Sequence, residues 1–221
     1  SDKCPIDSNL KEMLRDSSEN ILIKEPDTSG IIEQFDGYFK LEDASLNTVR
    51  SRVINPKEYW GGAYGVAADT QVIKQADVVA MLSMFKNDYT SDIMAKNLKY
   101  YEPRTEHGSS LSACMYSLLA CYTDNPEIAY PMFMKSAKAD LTKGGKEWAG
   151  SIYIGGTHPA SAGGAWIAAV KGFAGVIEEN GQLVCRPNLP EKWNGMSFKL
   201  MYKGRLYSVE IQNGNGTIST I

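Results

Sequence analysis

Along the first 170 or so positions apolar residues recur three and four apart, and from about residue 174 they alternate with polar ones. The first spacing fits helices with one buried face, and the second fits strands with one buried face. The pattern therefore predicts a mainly α fold with a C-terminal β-domain, divided as residues 1–173 and 174–221.

Six helices are expected within the first part. One runs from Ser8 to about Ser18. A second, capped by Asp69 or Thr70, runs to about Phe85 and buries Ile73, Ala76, Val79 and Leu82. Thr90 or Ser91 caps another, to about Tyr101. Ser109 or Ser110 caps SLSACMYSLLACY, which is apolar on nearly every side and so belongs in the interior. Asn125 and Pro126 read as an N-cap followed by proline in the first turn, opening a helix to about Leu141 that Pro131 should kink or delay. A last helix begins at Ser161 or a neighbour and stops near Phe173, with Gly172 and Gly175 as stop signals.

The tail carries hairpin signals. Asn180-Gly181 suits a two-residue turn, SFKLMYKGRLYSVEIQ alternates around Lys203-Gly204, and GNGTISTI supplies a final strand. With so few residues this β-structure should lean on the helical part or complete a sheet. Helices joined by short loops run antiparallel to their neighbours. Those starting near residues 70, 109 and 161 should then be parallel, with their N-termini at one end.

Composition adds limits. The chain has 221 residues, 43% of them apolar and 22% charged, with a net charge of −3. That charge argues against a nucleic-acid partner. No apolar run reaches the ~20 residues of a membrane span, so no membrane partner is expected. The start SDKCPIDSNLKEM has no signal-peptide pattern and reads as a cut within a longer chain. Cys114 and Cys121, seven apart on one helix, would lie about 10 Å apart, too far for a disulfide. With Cys4 and Cys185 they read as reduced thiols of a cytoplasmic protein, and the spacing of Cys and His gives no metal site.

The chemistry gathers at the three helix starts. They carry Lys74 and Gln75 with Asp77, then His107, Gly108, Ser109 and Ser110, then Thr157, His158 and Ser161. A helix N-terminus offers unpaired N–H groups and the positive end of a dipole, which suits an anion. Glycine lets the backbone approach such a ligand, and hydroxyls and imidazole add donors. Each serine taken singly is a good helix cap and each histidine a common structural residue; the two histidines of the chain at equivalent places suggest a shared site. Other candidates carry less. Glu102 or Glu106 would pair with Arg104 and brace the serine loop. Trp60, Trp148 and Trp166 would serve as core residues or sugar-stacking faces, and Glu33 with Asp36 is a spacing that any turn offers.

The segments GIIEQFDGYF, VIKQADVV, YYEPRTEHGSSLSACMYSLLA, YIGGTHPASAGGAWIAAVKGFAG and RPNLPEKWNGMSFKLMYKGR resemble, in order, glycoside hydrolase family 65. Its members include inverting phosphorylases of α-glucosides, and the wording is nearest to those of the kojibiose and nigerose type. The resemblance implies part of an (α/α)6 toroid followed by a small antiparallel β-sheet or sandwich. It implies that Lys74 and Gln75 contact the transferred glucosyl unit and that Gly108, Ser109, Ser110 and His158 hold phosphate. The co-substrates would be a disaccharide α-glucoside and inorganic phosphate, with no cofactor and no metal. The family's general acid is a glutamate in an Asp-Glu motif upstream of the IEQFDGYF block, and the chain has no Asp-Glu dipeptide. No catalytic acid is therefore expected in this chain, which would be inactive alone, and its parent would be homodimeric. Two alternatives stand beside this reading: a family-65 hydrolase with Glu106 as base, and a non-catalytic carbohydrate-binding fragment.

Overall fold

The computed structural model describes residues 7–55, 60–61, 64–141, 147–148, 152–153 and 157–221, with backbone alone at 147–148 and 152–153. Helix α1 spans Ser8–Asn20, and its N-cap is Asp7, whose carboxylate accepts the Leu10 N–H at 2.9 Å. A 3₁₀ turn at Tyr38–Lys40 and the short α2, Leu46–Arg50, follow. Then come α3 (Asp77–Met84), α4 (Ser91–Tyr101), α5 (Ser112–Tyr122), α6 (Pro126–Ala137) and α7 (Pro159–Ile167).

Two helix starts differ from the sequence expectation, for one reason. Residues 70–73 could begin α3 by their pattern, yet they are extended and bonded to other segments. The Gln71 N–H donates to the Glu42 carbonyl at 2.8 Å, and the Ile73 N–H donates to the Arg104 carbonyl at 2.9 Å. Backbone groups already paired in this way cannot enter a helical ladder. Thus Asp69 and Thr70 cap nothing, the helix starts at Asp77, and Lys74 and Gln75 precede it. Of the expected stripe, Val79 and Leu82 are fully buried and Ala76 nearly so, whereas Ile73, held in the extended segment, is only partly buried. Likewise α5 starts at Ser112, because Ser109 forms a turn in which its hydroxyl accepts the Leu111 N–H at 3.2 Å and its carbonyl accepts the Ser112 N–H at 3.1 Å.

Thr90 caps α4 as expected, and α6 opens at Asn125 and Pro126 and runs through Pro131. Helix α6 ends at Ala137 rather than Leu141, and the chain continues in turns. The last helix begins at Pro159 and changes at Ala168–Phe173 to a π-helical turn closed by the Ala174 N–H on the Ala169 carbonyl. A two-residue hairpin, β1 (Glu147–Trp148) with β2 (Ile152–Tyr153), has no sequence signal that marked it.

Helix α5 is the centre, with nine of its eleven residues buried, as an all-round apolar helix requires. Ser83 of α3 meets Met115 of α5, and Lys86 just beyond α3 lies over the Tyr122 ring at the end of α5. Similarly Cys114 stands against Gly164, and Cys121 against Gly172. In both comparisons the contacts rise together along the two chains, so α3, α5 and α7 run parallel. Their N-termini share one end, as loop lengths had suggested.

A strap from residue 30 to 43 crosses this bundle. Asn97 of α4, fully buried, accepts the Ile32 N–H at 2.9 Å and donates to the carbonyls of Gly30 (2.9 Å) and Ile93 (2.8 Å). Tyr38 is fully buried and its hydroxyl donates to the Gln71 carbonyl at 2.6 Å. The tail forms β3 (Val176–Glu179) with β4 (Gln182–Cys185), and an antiparallel sheet ordered β5 (Gly195–Tyr202), β6 (Arg205–Gln212), β7 (Asn215–Thr220). Asn180 and Gly181 both adopt positive φ, 51° and 82°, which the primed hairpin turn demands. Val209 and Ile211 of β6 pack with Val176, Val170 and Ala174, so the sheet leans on the end of the helical part.

Candidate functional site

The pairing that delays α3 also builds the site. Ile73 and Thr105 form a parallel bridge, and the Glu106 N–H returns to the Ile73 carbonyl at 2.9 Å. Lys74 and Gln75, both half-buried, therefore leave this bridge beside residues 106–107, which lead into the serine loop. The structure thus joins two of the three expected clusters through backbone hydrogen bonds that the sequence pattern did not show.

Within the loop Gly108 is buried, Ser109 nearly so and Ser110 half-buried. Ser109 spends its hydroxyl oxygen as acceptor in the turn, so its O–H remains a donor. At the start of α5 the Leu111 and Ser112 N–H groups are taken by Ser109 within the turn, and the loop adds no carboxylate next to Ser109 or Ser110. Hydroxyl donors at the positive end of a helix suit an anion.

The two histidines prove dissimilar. His107 is buried, with φ at +56°, a left-handed conformation that costs a non-glycine residue roughly 1–2 kcal/mol. Its Nδ1 bonds the Ser112 hydroxyl at 2.9 Å, its ring stands edge-on to Tyr116, and its Nε2 is buried without a partner. Burial, with Lys135 adding repulsion, pushes its pKa down to about 4, so it is neutral at ordinary pH. His158, by contrast, is the N-cap of α7 and stays partly accessible. Its backbone N–H donates to Asp140 Oδ2 at 2.6 Å and its Nδ1 bonds Asp140 Oδ1 at 2.8 Å.

Ser161 does not join the site. It is fully buried, and its hydroxyl bonds the Ser136 hydroxyl and carbonyl at 3.1 Å, fastening α7 to α6. Thr157 is exposed, and Asp77 heads the first turn of α3. Glu106 is half-buried, and desolvation holds its carboxyl above the usual carboxylate range against the pull of Lys135, Arg50 and Lys74.

Arg104 pairs with neither Glu102 nor Glu106. It makes a two-pronged bond to Asp43, at 2.9 and 2.6 Å, donates to the Tyr100 carbonyl at 2.7 Å and stacks over the Tyr100 ring. The bridge between Glu42 and Thr70 places Asp43 there, a contact sixty residues distant that local spacing cannot reveal. Glu33 and Asp36 are both held by Lys24, and Glu33 also accepts the Gly37 N–H, so they stabilise a turn. Trp60 is core, packed with Val49 and Val72, whereas Trp166 is exposed. The Trp148 side chain and Cys4 lie outside the described residues; Cys114, Cys121 and Cys185 are free thiols. Among the described residues no group of His, Cys, Asp and Glu could hold a metal ion, and no helix is long and apolar enough to cross a membrane.

Parallel helices with their starts at one end, followed by an antiparallel β-unit, define the class first. A solved structure of a human-microbiome protein, provisionally assigned as a kojibiose phosphorylase, superposes on the whole of this chain. Its TM-score is 0.78 at 26% identity, and the match covers 32% of that protein. The family follows from the sequence. Residues 2–167 match the glycosyl hydrolase family 65 central catalytic domain, and residues 178–220 match the family 65 C-terminal domain. The chain belongs to glycosyl hydrolase family 65. It is 56% identical over 214 residues to nigerose phosphorylase of Lachnoclostridium phytofermentans, matching 96% of this chain and 28% of that protein. It is 38% identical to 1,2-alpha-glucosylglycerol phosphorylase of Bacillus selenitireducens, over 93% of this chain and 27% of that protein. The kojibiose phosphorylase of Caldanaerobacter subterraneus subsp. tengcongensis is 36% identical over 90% of this chain and 25% of its own length. The chain thus spans little more than a quarter of the relatives it matches.

Proposed function

We propose that this chain is the phosphate- and glucosyl-binding part of an inverting disaccharide phosphorylase, which converts an α-glucoside and phosphate to β-glucose 1-phosphate and a free sugar. The observation that supports the reading is the Ile73–Thr105 bridge, after which Lys74 and Gln75 follow on one side and Glu106 to Ser110 on the other. Lys74 and Gln75 would hold the glucosyl unit. Ser109, Ser110 and His158 would hold phosphate, with Gly108 admitting it close to the backbone. Relatives named for nigerose, kojibiose and glucosylglycerol support an α-glucosidic substrate.

In the reaction, an acid protonates the glycosidic oxygen while a phosphate oxygen attacks C1 from the opposite face. The C1–O bond to the leaving sugar breaks and a C1–O bond to phosphate forms, with inversion through an oxocarbenium-like transition state. Phosphate is already an anion, so this site orients the nucleophile and needs no base to activate it. No residue of this chain is given the acid's role, and the isolated chain is accordingly expected to be inactive. The proposed setting is cytoplasmic, consistent with three free thiols.

The test is cleavage of nigerose and kojibiose by the full-length enzyme with and without inorganic phosphate, following the sugar phosphate by NMR. The reading expects phosphate-dependent release of the β-anomer. The half-buried Glu106, with its raised carboxyl pKa, is the observation that favours hydrolysis instead; glucose release independent of phosphate would replace our reading with that one.

A further inference from the structure

The hold of Asp140 on His158 goes beyond capping. One oxygen of the carboxylate takes the backbone N–H of His158, and the other takes the ring Nδ1 of the same residue, at 2.6 and 2.8 Å. Both rotatable bonds of the imidazole are thereby fixed, since backbone and ring are gripped by one rigid group. A carboxylate only accepts hydrogen bonds, so the Nδ1 proton is on the ring and Nε2 is the nitrogen left for a ligand. The His158 side chain is 13% exposed and that of Asp140 29%, so the pair is largely shielded from solvent. Asp140 follows α6, which the Ser136–Ser161 hydroxyl contact fastens to α7, so both partners stand on mutually anchored elements.

Resting on the phosphate-site reading above, we propose that Asp140 is a positioning residue. It fixes the tautomer and orientation of His158 so that Nε2 faces the phosphate held by the serine loop. With Nδ1 and the backbone N–H both taken by the carboxylate, the ring can meet the phosphate only through Nε2. The parallel course of α5 and α7 supports this direction: Cys114, third in α5, meets Gly164, sixth in α7, which leaves Ser110 and His158 at the same end.

The experiment compares the full-length enzyme with Asp140→Asn, Asp140→Ala, His158→Ala, Ser110→Ala and the double variant Asp140→Ala/His158→Ala. KM is measured for inorganic phosphate and for the disaccharide, with a melting temperature for each protein. Asp140→Ala should raise the phosphate KM roughly tenfold, the scale of one hydrogen bond, with the disaccharide KM changed by less than about twofold. Asp140→Asn, which retains one acceptor oxygen, should fall between. The double variant should be no worse than His158→Ala, because Asp140 acts through that ring. A further loss in the double variant, or an unchanged phosphate KM in both Asp140 variants while Ser110→Ala and His158→Ala raise it, overturns this inference and leaves the site standing. If Ser110→Ala and His158→Ala also leave the phosphate KM unchanged, the site reading itself is wrong.

Discussion

Cys114 occupies the space that a side chain on Gly164 would need: a Cβ there would stand 2.4 Å from Cys114 Sγ and 2.7 Å from its Cβ. This contact lets α5 and α7 approach closely enough to bring their N-termini to one place. Both the buried thiol and the glycine are therefore parts of one packing device.

Gly164→Ala should push α7 from α5 and lower stability by about 1–3 kcal/mol. Cys114→Ala should cost less and should relieve the strain in the double variant, giving a coupling of at least ~0.5 kcal/mol in a denaturant cycle. Additive effects would show that the helices have room to spare.

Asn97 ties the strap to α4 through one accepted and two donated bonds. Asn97→Ala should leave the Ile32 N–H and the Gly30 carbonyl unpaired in the interior, at a cost of about 3 kcal/mol. Asn97→Asp should also be destabilising, since a carboxylate cannot donate to Gly30 and Ile93. Urea midpoints will test both, and a loss below ~1 kcal/mol would show that water reaches these groups.

His107 gives the protein a definite acid sensitivity. Its folded pKa of about 4 lies below the ordinary histidine value, so the unfolded chain takes up the proton first as pH falls. Stability should be intact above about pH 6.5, decline as pH falls towards 4 and then level, by on the order of 3 kcal/mol in all. Glu106, held high by burial, contributes with the opposite sign as the folded state takes up its proton first. Asn tolerates a left-handed backbone, so His107→Asn isolates the histidine's share: the variant should lose less stability than the parent between pH 7 and 4.5.

Ser110→Ala, at the half-buried hydroxyl of the loop, should raise the phosphate KM of the full-length enzyme about fivefold to tenfold, the scale of one lost hydrogen bond. Its fold should be unaffected, because the turn uses Ser109 rather than Ser110. Steady-state kinetics at varied phosphate will measure this.

The apolar pattern by itself determined that α4, α5 and α6 form, that α5 is interior, and that the tail pairs as hairpins at Asn180-Gly181 and Lys203-Gly204. These depend on local spacing, caps and turn residues, which lie within a few positions of one another. Loop lengths also indicated the parallel course of α3, α5 and α7. The family, too, was legible, because its ordered blocks stand in the residues themselves.

Tertiary structure decided what local pattern could not. Residues 70–73 have a helical pattern but pair with residues 42 and 104–106, and satisfied backbone groups outweigh weak helix preference. The same kind of long-range pairing sent Arg104 to Asp43 and set Ile73, just before Lys74, against Thr105 and Glu106. The two histidines, alike in sequence setting, were separated by burial: His107 is sealed beside Tyr116 and neutral, while His158 is gripped by Asp140 and accessible. Burial and remote partners set the chemistry of an imidazole, and neither is written in its neighbours along the chain.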